Sequence, residues 1–81
     1  MNVTEDLRRR YAELSPALQR VARYLLDHPS EVVTSSMRSV GARADSTPAT
    51  LVRFAQHVGY AGWPELKAAL FRRMNQASRS S

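Results

Sequence analysis

Thr47, Thr50 and Arg53 follow one another at three-residue intervals, with Pro48 and Ala49 among them and Gln56 and His57 just beyond. Two hydroxyls can donate to phosphate oxygens. A guanidinium can meet either a phosphate or the O6 and N7 edge of guanine, and Pro48 and Ala49 can pack on thymine methyl groups. Residue types suited to a nucleic-acid backbone and its base edges therefore share one short stretch. Other chemistries find no such grouping. The chain has no cysteine, which removes thiolate nucleophiles, thiolate metal sites and disulfides. His28 and His57 are far apart in sequence, with no cysteine or close carboxylate expected at ligand spacing. No metal, cofactor or enzymatic activity is expected, and Ser15, Ser35 and Thr47 read as helix caps.

The elements that would hold these residues are all helical. Val3, Leu7, Tyr11 and Leu14 recur at helical spacing, so the first dozen or so residues read as one amphipathic helix with Arg8, Arg9 and Arg10 mostly on its wet side. Ser15-Pro16 starts a second helix, because serine caps free N–H groups and proline gives up an N–H that would be unpaired at that position. Leu18, Val21, Ala22, Leu25 and Leu26 form its broad apolar stripe, and Asp27-His28-Pro29 ends it. One extra turn is possible over residues 30–33, after which Thr34, Ser35 and Ser36 offer caps for a third helix over residues 36–44, with Met37, Val40 and Ala44 inward. Asp45-Ser46 interrupts the pattern. Thr47-Pro48 restarts it, with Leu51, Phe54, Ala55 and Val58 inward, and Gly59 suits the left-handed residue that closes a helix. Trp63-Pro64-Glu65 opens a fifth helix carried by Leu66, Ala69, Leu70 and Met74. The fold class is all-α: five helices, no sheet, and a wingless, homeodomain-like helix-turn-helix over residues 37–58.

A unit of this kind inserts the exposed half of its second helix into the major groove as a rigid probe. The expected DNA-facing residues are Thr47, Pro48, Ala49, Thr50, Arg53, Gln56 and His57 on the helix over 47–58, joined by Arg38 and Lys67. Arg43, Arg72 and Arg73 are further candidates for backbone contacts. The net charge of +5 supports a polyanionic partner, since most of the excess lies after residue 30. At 81 residues the chain is long enough for one domain, expected over residues 1–76, with 77–81 a flexible tail or the start of a linker. No apolar run approaches a membrane span and nothing points to an oxidising compartment, so a cytoplasmic location without membrane contact is expected.

Three stretches resemble the RpiR-type bacterial transcriptional regulators: Leu14-Ser15-Pro16 with Val21-Ala22-Arg23-Tyr24-Leu25-Leu26, then Pro48-Ala49-Thr50-Leu51-Val52-Arg53-Phe54, then Val58-Gly59-Tyr60-Ala61-Gly62-Trp63-Pro64-Glu65-Leu66-Lys67. The last is the most specific. The resemblance implies sequence-specific binding of a double-stranded DNA operator by the N-terminal domain of a homodimeric regulator of sugar or sugar-phosphate metabolism. The phosphosugar effector would bind a C-terminal domain outside this chain. The turn departs from the family's pattern, with Asp45 and Ser46 where a glycine and an apolar residue are usual, and with Gly41 where alanine is frequent. Aspartate tolerates the left-handed conformation, whereas losing the apolar residue at Ser46 should weaken the lock between the two helices. The competing reading is a helical protein–protein module without DNA binding, favoured if Arg38, Arg43, Arg53, Arg72 and Arg73 scatter over opposite faces rather than ringing one end of the 47–58 helix.

Overall fold

The apolar stripes close on one core in a computed structural model that describes residues 3–79, with side chains described through residue 75. Six α-helices are present among the described residues: α1 (Val3–Arg10), α2 (Pro16–Asp27), α3 (Pro29–Thr34), α4 (Met37–Arg43), α5 (Pro48–His57) and α6 (Trp63–Arg79). No strand occurs among the described residues, so no wing succeeds α5. α1 is short because the chain tightens at once into a 3-10 turn over Tyr11–Glu13, and Leu14 then turns extended to let Ser15 cap α2. The extra turn expected over residues 30–33 is a helix in its own right, α3, opened by Pro29 and pinned into the core by fully buried Val32. At the other end α6 runs to Arg79, where a tail was expected from residue 77. Neither glycine nor proline occurs there to stop it. Residues 80 and 81 lie outside the described residues.

The expected core residues are largely the observed ones. Leu51, Phe54 and Ala55 of α5 have no exposed surface, and Val58 and Trp63 keep only traces. α5 packs on α2, α4 and α6, so its inner face is enclosed on three sides. Tyr11, Leu26, Met37, Ala69 and Met74 are only half-buried, at the margins of that core. Tyr60 is also half-buried. Its hydroxyl pKa is raised, first by burial and then by the charge of Asp6, with Arg72 opposing.

Two helix ends share one construction. At the end of α5 the Gly59 N–H donates to Gln56 O at 3.1 Å and the Tyr60 N–H to Ala55 O at 2.9 Å, with Gly59 at φ 101°. At the end of α4 the Asp45 N–H donates to Ala42 O at 3.3 Å and the Ser46 N–H to Gly41 O at 2.6 Å, with Asp45 at φ 56°. Both are Schellman closures. The turn of the helix-turn-helix is therefore a helix cap with aspartate in the left-handed position. Its other departures from the family pattern belong together: a Cβ on Gly41 would stand 3.2 Å from Ser46 O, so the glycine admits the turn's backbone closely where an apolar contact is lacking. Asp45→Gly should stabilise the domain by up to about 1 kcal/mol, since an L residue in this conformation is strained. The Asp45 carboxylate gives little back through Arg20, 4.0 Å away with both side chains largely in water. Thermal denaturation should show a higher midpoint for Asp45→Gly and a lower one for Asp45→Val.

Candidate nucleic-acid interface

The outer face of α5 is built by default, because its inner face is consumed by the core. Thr47, Pro48, Ala49, Arg53, Gln56 and His57 are exposed and Thr50 is half-buried. Thr47 is the N-cap: its Oγ1 accepts the Thr50 N–H at 3.2 Å and lies 3.0 Å from the Thr50 Oγ1. Whichever hydroxyl donates in that pair, the other keeps its proton for an outside acceptor. The positive end of the helix dipole adds to the pull on an anion there. Arg53 forms no ion pair among the described residues, and α5 contains no carboxylate that could hold it. Arg38, in the first turn of α4, is likewise exposed and unpaired.

Thr47 can be tested apart from its capping role. Thr47→Ala should cost about 1 kcal/mol of stability through the lost cap, whereas Thr47→Asp keeps a capping oxygen and suits the helix dipole. The aspartate variant should therefore melt no lower than wild type yet bind duplex DNA more weakly, because its carboxylate would meet phosphates. Equal DNA affinity for wild type and Thr47→Asp would remove Thr47 from the interface.

Other expected contacts are less free. The Lys67 Nζ donates to Ser35 O at 3.0 Å, tying α6 to the junction of α3 and α4. Two of its three protons remain available beside the start of α4. Arg43 is bound to Glu31, Nη1 to Oε1 at 2.9 Å, and the other carboxylate oxygen of Glu31 lies 3.0 Å from His28 Nδ1. His28 thus does have a close carboxylate, contrary to expectation. The carboxylate joins α3 to α4, and no metal-holding cluster forms among the described residues. Arg72 stands by Tyr60, and Arg73 is half-buried against α1. Of the five arginines offered as a discriminator, only Arg38 and Arg53 stand free on the helix-turn-helix, so charge placement alone does not favour DNA over a protein partner. Sequence reading also missed Ser39, whose backbone N–H and hydroxyl both engage the Ser36 cap. Its i+3 spacing from Ser36 was the available signal.

A three-sided core beneath a two-helix unit, a Schellman turn between its helices and a polar outer face on the second helix define a DNA-binding helix-turn-helix domain. The chain matches the helix-turn-helix domain of the rpiR family over residues 1–77 and belongs to that family. It is 36% identical over 70 residues to YfhH, an HTH-type transcriptional regulator of Escherichia coli, a match covering 86% of this chain and 25% of that protein. Among solved structures it is similar to the N-terminal domain of ybbH of Bacillus subtilis, with TM-score 0.78, 25% identity and coverage of 83% and 82% of the two chains. It is also similar to the NanR protein of Vibrio vulnificus complexed with ManNAc-6P, with TM-score 0.88, 27% identity and coverage of 93% of this chain and 28% of that one. The chain spans between about a tenth and a quarter of the length of the curated relatives it matches. No described helix is long and apolar enough to cross a membrane.

Proposed function

We propose that α5 enters the major groove of an operator duplex, with Thr47, Pro48, Ala49, Thr50 and Arg53 at base edges and nearby phosphates and Gln56 and His57 further along the same face. Arg38 and the free protons of Lys67 touch the flanking backbone. The observation that carries this reading is the division of α5: one face is sealed into the core, and the other is exposed and carries the Arg53 guanidinium, unpaired among the described residues, and one threonine hydroxyl proton left over from the Thr47–Thr50 pair. A helix so anchored keeps its orientation while it probes a groove.

The regulatory reading goes further than the domain. Similarity to a NanR complexed with ManNAc-6P supports a cytoplasmic transcriptional regulator of sugar or sugar-phosphate metabolism. In such a regulator, residues 1–76 form the DNA-binding domain and a separate C-terminal domain senses a phosphosugar. A homodimer suits it, because one helix-turn-helix contacts too few base pairs for operator-level specificity. No catalytic step is assigned to this chain. The test is selection of bound sequences from random duplexes, with subsequent titration of the best sequence and a scrambled one at several salt concentrations. A single enriched motif bound at least about a thousandfold more tightly than the scrambled duplex is expected. Equal affinity for both would overturn sequence-specific binding.

A further inference from the structure

Arg8 of α1 and Arg73 of α6 line one groove of about 360 Å³, together with Leu26 and Pro29 where α2 meets α3 and Leu70 and Met74 of α6. No carboxylate is among the described residues that line it. Neither arginine forms an ion pair among the described residues, and the Arg73 Nε is shielded from water without a hydrogen-bond partner. The smaller groove beside the turn of the helix-turn-helix, about 290 Å³, is compensated from within: Asp27 and Asp45 stand among its arginines, and Arg20 and Arg43 each have a carboxylate within 4.0 Å. Between α1 and α6 nothing plays that part. Two like charges at one apolar wall repel each other, and a shielded N–H donor without an acceptor carries a free-energy cost. One anion in the groove would relieve both.

We propose that this groove binds a small organic acid with an apolar body. Its carboxylate meets the guanidiniums of Arg8 and Arg73, and its aromatic or branched hydrocarbon part lies against Leu26, Pro29, Leu70 and Met74. A guanidinium grips a carboxylate through two parallel N–H···O bonds, and Thr4, also on the lining, adds a hydroxyl donor. Both halves of the molecule are needed. An inorganic anion would leave the apolar walls in water, and a neutral hydrocarbon would leave the guanidiniums without an acceptor. The space fits a ligand of this size, since small-molecule pockets run from about 300 to 1,000 Å³ and are mostly apolar with a few placed polar groups. No residue of α5 lines the groove, so occupancy leaves the outer face of α5 open and the proposal stands apart from the DNA reading. A molecule seated there touches α1, α6 and the α2–α3 junction at once, and therefore stabilises the fold that joins them.

The test is a titration of the isotope-labelled 81-residue chain with hydrocinnamate, followed residue by residue by two-dimensional NMR. Hydrocinnamamide, which has the body without the charge, and acetate, which has the charge without the body, are the controls. Saturable shifts centred on Thr4, Arg8, Leu26, Leu70 and Met74 are expected, with half-saturation below about 1 mM. The amide and acetate should each bind at least about tenfold more weakly. Arg8→Gln and Arg73→Gln should each weaken hydrocinnamate by about tenfold, and Met74→Trp should exclude it by filling the slot, all three keeping the wild-type circular dichroism spectrum. Arg72→Gln removes the same charge from the neighbouring position, outside the groove, and should keep wild-type affinity for the acid. At ten times the Kd, hydrocinnamate should raise the melting midpoint of wild type by about 5 °C and that of Arg73→Gln by much less. The proposal is overturned by the absence of saturable shifts up to about 10 mM, by equal affinity for the acid and its amide, or by shifts that fall on α5 instead of the groove. A loss in Arg72→Gln as large as in Arg73→Gln also overturns it, by reducing the effect to a general attraction of anions to a basic chain.

Discussion

Phe54→Ala is expected to remove about 3–5 kcal/mol of the domain's stability. Phe54 is the largest fully buried side chain in the domain, and it fastens α5 to the helices around it. Truncating a phenylalanine in a core costs about 3–5 kcal/mol, combining lost transfer energy with the cavity left behind. A domain of this length has only about 4–12 kcal/mol in total, at roughly 0.05–0.15 kcal/mol per residue. The loss should lower the melting midpoint by more than about 12 °C, since each kcal/mol is worth about 4–8 °C at this size. Phe54→Leu keeps most of the volume and should cost less than about 1.5 kcal/mol. Thermal and urea denaturation monitored by circular dichroism will show both. If Phe54→Ala melted within a few degrees of wild type, the packing of α5 against α2, α4 and α6 would be wrong. DNA affinity should track stability here, because Phe54 touches no surface and acts only by holding the exposed face in place.

What the sequence disclosed depends on the range of the interactions concerned. The starts of α2 and α5 were legible because Ser15-Pro16 and Thr47-Pro48 act within four residues: the cap oxygen reaches the N–H three positions on, at 3.4 Å in α2 and 3.2 Å in α5. The stripe of Leu51, Phe54, Ala55 and Val58 was legible because helical period alone puts those side chains on one face. Asp45 in the left-handed position could be expected for the same local reason. α3 was seen only as a possible turn, since six residues carry too little periodicity to identify a helix and Val32 reveals its burial only once α6 covers it. The contacts that redirect the basic residues were not legible at all. Arg43 meets Glu31 across 12 positions and Lys67 meets Ser35 across 32, distances at which sequence spacing has no bearing on proximity. The charge count therefore says nothing of which charges also have partners within the fold. Arg53 has no such partner among the described residues, since no carboxylate lies within its helix and no ion pair reaches it from another.

Arg53→Ala should fold like wild type and lose operator affinity. The side chain is exposed and unpaired, and a surface substitution of this kind usually changes stability by less than about 0.5 kcal/mol. If the guanidinium reads guanine with two parallel hydrogen bonds, its removal costs about 1–3 kcal/mol on the preferred operator and relaxes the preference at one base pair. If it touches only a phosphate, affinity falls on every sequence alike and the slope of log K against log salt shrinks by about one unit. Arg53→Lys separates the two cases, since lysine keeps the charge but cannot form the planar two-pronged contact. A base-reading arginine is not rescued by lysine on the preferred operator, whereas a phosphate-binding one is rescued in large part. Titrations of wild type, Arg53→Ala and Arg53→Lys against the preferred and a scrambled duplex, at two salt concentrations, give all of these quantities. Should Arg53→Ala keep wild-type fold, affinity and salt dependence on both duplexes, the outer face of α5 is not what this domain turns toward DNA.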